Sequence, residues 1–443
     1  MTTSVMRFEA SKSSTDAARP LARLSLAFLA LLLPSLVTTA HAVTGPWTSG
    51  ETVRVRLLSA TDAAGTGGEV RAGLQVSLND GWDTYWRSPG DAGAPPTVDW
   101  SGSTNLASVE WRWPAPTRFT LFGLETFGYL HEVVFPLTVH PKRPGERVAL
   151  RGQADLLVCS DVCVPKHLTV SLDLPTGAAT SDAEASNLIA RYEAQVPDDG
   201  SGSGLAVQDI AARLGTPAAL EVRIASRQPL AKPDVIVESG KWSFGKPAFS
   251  FGPDGRTATA VLPVTSGPDT VGLPDSPVTV TLLDGLLASE THGRIAAGTA
   301  LVGGNWTLDI LPFRGAAPAA AGHWAVFDEA AARRLVAQGK TVFVDVTAEW
   351  CVNCKVNEAL VLGQPDVGAA LRAPDVVAMR ADWTRPDPRI SDYLARNDRF
   401  GIPFNAVYGP GAPRGIVLPE ILTQDAVLGA LHRASGTAKI SAK

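Results

Sequence analysis

The chain has 443 residues, enough for two to four domains, and carries a net charge of −5. With a pI near 5.9 it has no basic footprint, which excludes nucleic acid as the expected partner. Its 41 glycines, 33 prolines and only 19% charged residues suit a turn-rich protein built mostly of short strands.

In chain order, Arg19 and Arg23 precede an apolar run at 24–33, and Ala40-His41-Ala42 offers small residues at the −3 and −1 positions of a cleavage site. Residues 1–42 therefore read as a secretory signal peptide. The run is short for a membrane span, and an uncleaved N-terminal anchor is the alternative. No later stretch approaches spanning length, so the mature protein is expected to be soluble and exported, beginning near Val43. The four cysteines form two close pairs, Cys159/Cys163 and Cys351/Cys354, with none left over. That suits an oxidising compartment, or chemistry that cycles the pairs.

Residues 43–175 show alternating runs at 52–58, 70–78, 131–140, 149–158 and 167–174, with turn signals such as Asn79-Asp80-Gly81. These predict an antiparallel β-sandwich of immunoglobulin-like type. Trp82, Tyr85, Trp86, Trp100, Trp111 and Trp113 crowd this segment. They are expected to plug the core, a ligand platform being the other reading. Residues 176–204 predict a helix at 181–196, capped by Ser181 with Glu184 three residues on, and then a flexible linker at 198–204. Residues 205–312 predict a second β-sandwich with strands at 219–224, 234–237, 257–264, 277–283 and 307–310. It has no cysteine, its one histidine, His292, falls in a Thr-His-Gly-Arg turn, and it reads as a spacer or docking module. An Ala/Pro linker at 313–322 leads to residues 323–443. Here helices at 328–338, 388–396 and 423–433 alternate with strands at 341–346, 376–381 and 401–408, which predicts an α/β domain.

The strand at 341–346 is followed by Cys351-Val352-Asn353-Cys354 and an amphipathic run. Strand, C-x-x-C and helix make a dithiol redox centre, half a zinc site or a structural bridge being the alternatives. Cys351, at the exposed start of the helix where the dipole favours a thiolate, is the expected nucleophile and Cys354 the resolving thiol. Exchange runs through a mixed disulfide, so protonation sets its rate. Asp345, alone in an apolar strand, should be desolvated, titrate high and take the Cys354 proton. Glu358, one turn beyond Cys354 on the same face, is the second acid. Cys159-Ser-Asp-Val-Cys163 joins two strand patterns, so its cysteines can oppose one another across a tight hairpin at a disulfide spacing. A structural staple is the other reading.

The run Val344-Asp-Val-Thr-Ala-Glu-Trp350-Cys351-Val-Asn-Cys354-Lys355 resembles a thioredoxin-fold active site. Its Val-Asn filling and the later Glu358 resemble the C-terminal domain of the DsbD/ScsB family of thiol:disulfide interchange proteins. Gly81-Trp-Asp-Thr-Tyr-Trp-Arg-Ser-Pro-Gly-Asp-Ala-Gly93 and Trp113-Pro-Ala-Pro116 resemble that family's N-terminal periplasmic domain. The resemblance implies a thioredoxin-like last domain, so with the strand patterns above the chain is expected to be two β-sandwiches followed by a thioredoxin-like domain. It implies a cis-proline at Ile402-Pro403 facing the cysteines, with Trp350, Ile402 and Pro403 meeting the substrate. It further implies that Cys159/Cys163 is a redox pair fed by Cys351/Cys354, with Cys163 exchanging with partners. Phe127-Gly128-Tyr129 is the candidate for the family's aromatic cap loop.

The implied activity is protein-disulfide reduction without cofactor or resident metal, on periplasmic thiol-disulfide partners. Cytochrome c biogenesis and copper tolerance are the family's settings. The family also has a polytopic membrane domain with its own cysteine pair. Here residues 313–322 lead straight to the last domain, so either a separate membrane protein donates electrons or the sequence is a shortened form. The competing function is a thiol protein of the cell envelope that binds Cu(I) or Zn(II).

Overall fold

The structure, a computed structural model, describes residues 44–121, 124–215, 217–268, 270–298 and 324–436. The expected signal peptide, the strand at 307–310 and the linker at 313–322 lie outside the described residues.

The first sandwich runs through β1 (Thr48–Ser49), β2 (Val53–Ser59), β3 (Val70–Leu78), β4 (Asp83–Gly90), β5 (Thr97–Asp99), β6 (Leu106–Trp111), β7 (Thr117–Leu121), β8 (Leu124–Leu130), β9 (Glu132–Pro141), β10 (Val148–Cys159) and β11 (Cys163–Leu174). One sheet has the order β1-β2-β3-β9-β6; the other is β11-β10-β4-β8-β7, with β5 added on β10. Alternate residues of β10 and β11 turn inward, as expected of strands with one face on a core. Trp86, Phe135, Leu57 and Leu74 are fully buried between the sheets, and Trp111 stacks on Trp113 at the edge.

Helix α1 (Ala183–Glu193) buries Ile189 against Leu58 and Val134 of the first sheet. Its cap is Asp182 rather than Ser181: Asp182 has extended backbone and its carboxylate accepts the Ala185 N–H. The expected flexible linker at 198–204 is instead an ordered turn. The Asp198 carboxylate accepts the N–H groups of Gly200, Gly202 and Ser203, each at 2.8 Å. One acidic side chain thus satisfies donors that a flexible segment would give to water.

The second sandwich pairs β12 (Leu205–Arg213), β13 (Ala219–Ser226), β15 (Ser243–Phe244), β16 (Ala248–Phe251) and β17 (Thr257–Ser266) against β14 (Pro233–Glu238), β18 (Pro277–Asp284) and β19 (Leu287–Arg294). His292 lies on β19, opposite Thr279 of β18, and not in a turn. The chain reverses earlier, at Gly285, whose φ of +65° suits glycine. Two arginines of the first sandwich reach the second. Arg118 of β7 bonds the Asp234 carboxylate at 2.9 and 3.0 Å and the Val235 carbonyl at 2.8 Å. Arg87 of β4 pairs with Glu238 and Glu290.

The last domain has the sheet order β20-β22-β21-β23-β24, from β20 (Ala325–Val326), β21 (Thr341–Thr347), β22 (Val376–Asp382), β23 (Phe404–Gly409) and β24 (Ala412–Val417). Every residue of β21 is buried, as its β-branched apolar run requires at the centre of a sheet covered on both faces. Val342, Val344 and Val346 pack under α2 (Glu329–Ala337) and α5 (Pro388–Arg396). Phe343 packs on the other side with α4 (Pro365–Leu371) and α6 (Gln424–Ser435). Between them α3 (Val352–Asn357) runs into a π-helical turn, Glu358–Leu362. No helix among the described residues is long and apolar enough to cross a membrane.

Candidate redox site

Strand β21 ends at Thr347, and the chain turns so that Cys351 caps α3. Its backbone is extended and its Sγ accepts the Cys354 N–H at 3.1 Å, which places Cys354 one turn behind it. The two form a disulfide with an S–S distance of 2.06 Å. In the first sandwich Cys159 closes β10 and Cys163 opens β11, directly opposite, with an S–S distance of 2.15 Å. The Tyr85 hydroxyl donates to Cys159 Sγ at 3.0 Å.

The fold brings these two centres together. Cys163 N–H donates to the Ile402 carbonyl at 2.8 Å, and Ile402 N–H returns a bond to the Cys163 carbonyl at 3.1 Å. A strand edge of the first sandwich is thereby joined to the loop that opens β23. The Ile402–Pro403 peptide bond is cis. Gly93 N–H donates to the Trp350 carbonyl at 2.9 Å, and the Asn353 amide donates to the Asp161 carbonyl at 2.6 Å. Lys355 Nζ bonds the Asp91 carbonyl. Val352 and Val356 pack on Ala92 and Leu124. Trp350 lies against Tyr85, Leu157 and both cysteines of the sandwich.

Cys351, expected to be exposed, is therefore fully buried, and Cys163 likewise. The first sandwich lies over the helix start, with Ala92 and Leu124 against Val352 and the Asp161 carbonyl on Asn353. Phe127 and Tyr129 are corrected too. They are not a cap loop but part of β8, buried in the sandwich core, with the Tyr129 hydroxyl donating to the Pro114 carbonyl at 2.8 Å. Gly128 between them lies flat on β4: an added Cβ there would sit 2.0 Å from the Thr84 carbonyl oxygen. A segment packed that closely on its neighbouring strand is no loop.

Asp345 faces away from the valines of β21 and stands in register with Arg380 on β22 and Asn405 on β23. Asn405 donates to one carboxylate oxygen at 2.9 Å and Arg380 to the other at 3.1 Å. Burial pushes the Asp345 carboxyl above its ordinary value, against the pull of Arg380 and Asn405. Arg380 also pairs with Glu358, 2.5 Å away, at the start of the π-turn. Glu358 is raised as well, by burial first, with Arg380 lowering it and Asp345 raising it further. Lys355 is lowered by burial. Sequence reasoning placed Tyr85 with the core aromatics and gave no site role to Asn353, Lys355, Arg380 or Asn405. Arg380 and Asn405 were findable in principle, as polar side chains within otherwise apolar strands. All four cysteines are in disulfides, and among the described residues no group of three or more His, Cys, Asp or Glu converges as a metal-ligand set.

A β-sandwich and a thioredoxin-like domain, each carrying a disulfide at their shared contact, define a protein of thiol–disulfide chemistry. Residues 54–175 match the family model described as the N-terminal part of thiol:disulfide interchange protein DsbD. Residues 324–410 match a thioredoxin-like model, and 195–298 match a domain of unknown function. DsbD 1 of Pseudomonas aeruginosa is 40% identical over 73 residues, 16% of this chain and 12% of that protein. DsbD of Ralstonia nicotianae is 38% identical over 112 residues, 25% of this chain and 18% of that protein. The matched parts thus span less than a fifth of each relative's length. The N-terminal periplasmic domain of ScsB from Proteus mirabilis overlays 58% of this chain and 99% of its own, with a TM-score of 0.46 and 22% identity. Residues 54–175 are thus similar to the N-terminal part of thiol:disulfide interchange protein DsbD, and residues 324–410 to thioredoxin-like domains.

Proposed function

We propose that this chain is an exported protein-disulfide reductase whose two cysteine pairs form an electron relay. The Cys351 thiolate attacks Cys163 Sγ, the Cys159–Cys163 bond breaks, and its electron pair leaves on Cys159. Cys354, as thiolate, then attacks Cys351 Sγ and releases Cys163. The balance is one dithiol oxidised at Cys351/Cys354 and one disulfide reduced at Cys159/Cys163. Asp345 takes the Cys354 proton in the second step, and Glu358 shares its cation, Arg380, and tunes it. Trp350, Ile402 and Pro403 form the docking surface for the partner disulfide.

The reading is carried by the reciprocal backbone bonds between Cys163 and Ile402. They hold the disulfide to be reduced against the loop beside the thioredoxin-like pair, the positioning that exchange needs. Once reduced, Cys159/Cys163 passes its electrons to a periplasmic thiol-disulfide protein. That partner must take the face that Ile402 occupies, so the relay alternates between docked and undocked states. A separate membrane protein recharges Cys351/Cys354.

The trapping experiment uses the full chain carrying Cys354→Ser and Cys159→Ser. Removing both resolving thiols should leave Cys351 and Cys163 joined, seen as one cross-linked peptide on non-reducing mapping. A chain in which those two cysteines stay free thiols under mild oxidation refutes the relay.

A further inference from the structure

We propose that Asp83 is the proton donor and acceptor for Cys159, serving the sandwich disulfide as Asp345 serves the thioredoxin-like one. This rests on the relay reading above and extends it to the second pair.

Three strands carry the argument. Asp83 on β4 stands directly opposite Cys159 on β10, and Cys159 stands directly opposite Cys163 on β11. Residues opposed across an antiparallel pair point to the same face, with Cβ atoms about 4.5–5.5 Å apart. Asp83, Cys159 and Cys163 therefore form one row across the sheet, with the carboxyl next to the sulfur that leaves when Cys163 is attacked. Tyr85, two residues along β4 and so on the same face, confirms the direction by donating its hydroxyl to Cys159 Sγ. Asp83 is half-buried, and among the described residues no hydrogen bond or ion pair engages its carboxylate, although the chain pairs buried acids such as Glu125 with Arg118 and Asp345 with Arg380. An unpartnered carboxylate beside a disulfide is costly without a role.

The surroundings explain its proton affinity. Leu130 flanks Asp83 on β8, and Tyr85 is the titratable neighbour on its own strand. The ionisable groups at that end of the sheet are Asp161 in the cysteine turn and Asp80 with His131, all exposed. From the thioredoxin side come the uncharged Trp350 and Asn353, and Lys355, which is committed to Asp91. Burial alone raises Asp83, to about 7. A group of that affinity gives up and regains a proton at neutral pH.

The proton balance follows. When Cys351 attacks Cys163, the electron pair leaves on Cys159 and the Asp83 proton moves to that sulfur. When the reduced pair later meets a partner disulfide, the Cys163 thiolate attacks one partner sulfur, the partner S–S bond breaks and its other sulfur leaves as a thiolate, while Asp83, now a carboxylate, takes the Cys159 proton back. The Cys159 thiolate then closes on Cys163 and expels the partner as a thiolate.

The test follows reduction of the oxidised full chain by a small dithiol, quenched by alkylation and mapped by mass spectrometry, so that each pair is timed separately. Protonated Asp83 is the donor, so its contribution is present below about pH 7 and lost above it. Asp83→Asn should slow reduction of Cys159–Cys163 by about tenfold or more at and below neutral pH, converge with wild type above it, and leave the timing of Cys351–Cys354 unchanged. Asp83→Glu should restore most of the rate and the pH inflection. Equal rates and equal profiles for wild type and Asp83→Asn overturn the proposal. So does a wild-type profile without an inflection near pH 7, which needs no variant at all. Failure of the relay itself looks different: Cys159–Cys163 would be reduced equally fast in a chain carrying both Cys351→Ser and Cys354→Ser.

Discussion

Asp345 is held in a row of three, between Arg380 and Asn405, with its carboxyl raised by burial. Its folded-state pKa lies above that of an unfolded aspartate, so the ionised form is disfavoured by the fold. Above both pKa values Asp345 costs stability, and the cost disappears as pH falls through the folded value. Asp345→Asn keeps the Asn405 and Arg380 neighbours but cannot ionise. It should therefore be more stable than wild type at neutral pH in urea titrations, with the advantage shrinking on acidification. The same variant should slow exchange at Cys351/Cys354 by about a hundredfold near neutral pH, read as the rate of reduction of a small disulfide. A variant that is more stable yet equally fast would leave Asp345 a structural residue only.

At the scale of elements, β4 and β7 serve two neighbours at once. Strand β4 carries Tyr85 toward Cys159 and Arg87 toward Glu238 and Glu290 of the second sandwich. Strand β7 carries Arg118, which pairs with Asp234 of β14 and with Glu125 of β8; the Arg118 and Glu125 side chains are only 8% and 6% exposed. The Glu125 N–H is held by the Asp91 carboxylate, and the Asp91 carbonyl receives Lys355 of α3. The second sandwich thus grips the roots of the surface on which α3 lies. Arg118→Met takes this cation from the buried Glu125 and the half-buried Asp234, and breaking a buried pair costs about 3 kcal/mol. We expect a loss of that order in urea unfolding, together with faster hydrogen exchange along β7 and β8. Unchanged exchange there would confine Arg118 to a local contact.

At the scale of the molecule, the contact between the two redox domains depends on one residue without a side chain. A Cβ added at Gly401 would lie 2.8 Å from Val164 Cγ2 and 2.9 Å from the Cys163 carbonyl oxygen, both belonging to the first sandwich. Backbone cannot yield to that approach as a side-chain tip can. Gly401→Val should therefore separate the domains without disturbing the thioredoxin-like core. Reduction of a small disulfide by Cys351/Cys354 should persist, and after reduction those thiols should alkylate faster than in wild type because the sandwich no longer covers them. Transfer to Cys159/Cys163 within the chain should fall at least tenfold. Equal transfer in this variant would show that the two pairs communicate by another face, or between separate copies of the chain.

Local pattern alone determined much of this protein. Period-two alternation marks the sandwich strands, because a strand with one face on a core exposes the other, and the all-apolar β21 marks a sheet centre for the converse reason. The paired cysteines and the lone Asp345 stand out because each is a residue type that its surroundings do not otherwise call for. Where the pattern was ambiguous it misled: Phe127-Gly128-Tyr129 looks like a loop, yet its glycine is demanded by the closeness of β4. Asp198 to Gly204 looks like a linker, yet one carboxylate orders it. Only the tertiary structure decided what covers Cys351, which strand faces Cys159, and where Arg87 and Arg118 reach. The Asn353 amide meets carbonyls 192 and 193 residues away. Hydrophobic period reports which face of an element avoids water, but it carries no term for which distant surface that face will meet. Partners across a domain contact are chosen by shape and charge that exist only once both domains have folded.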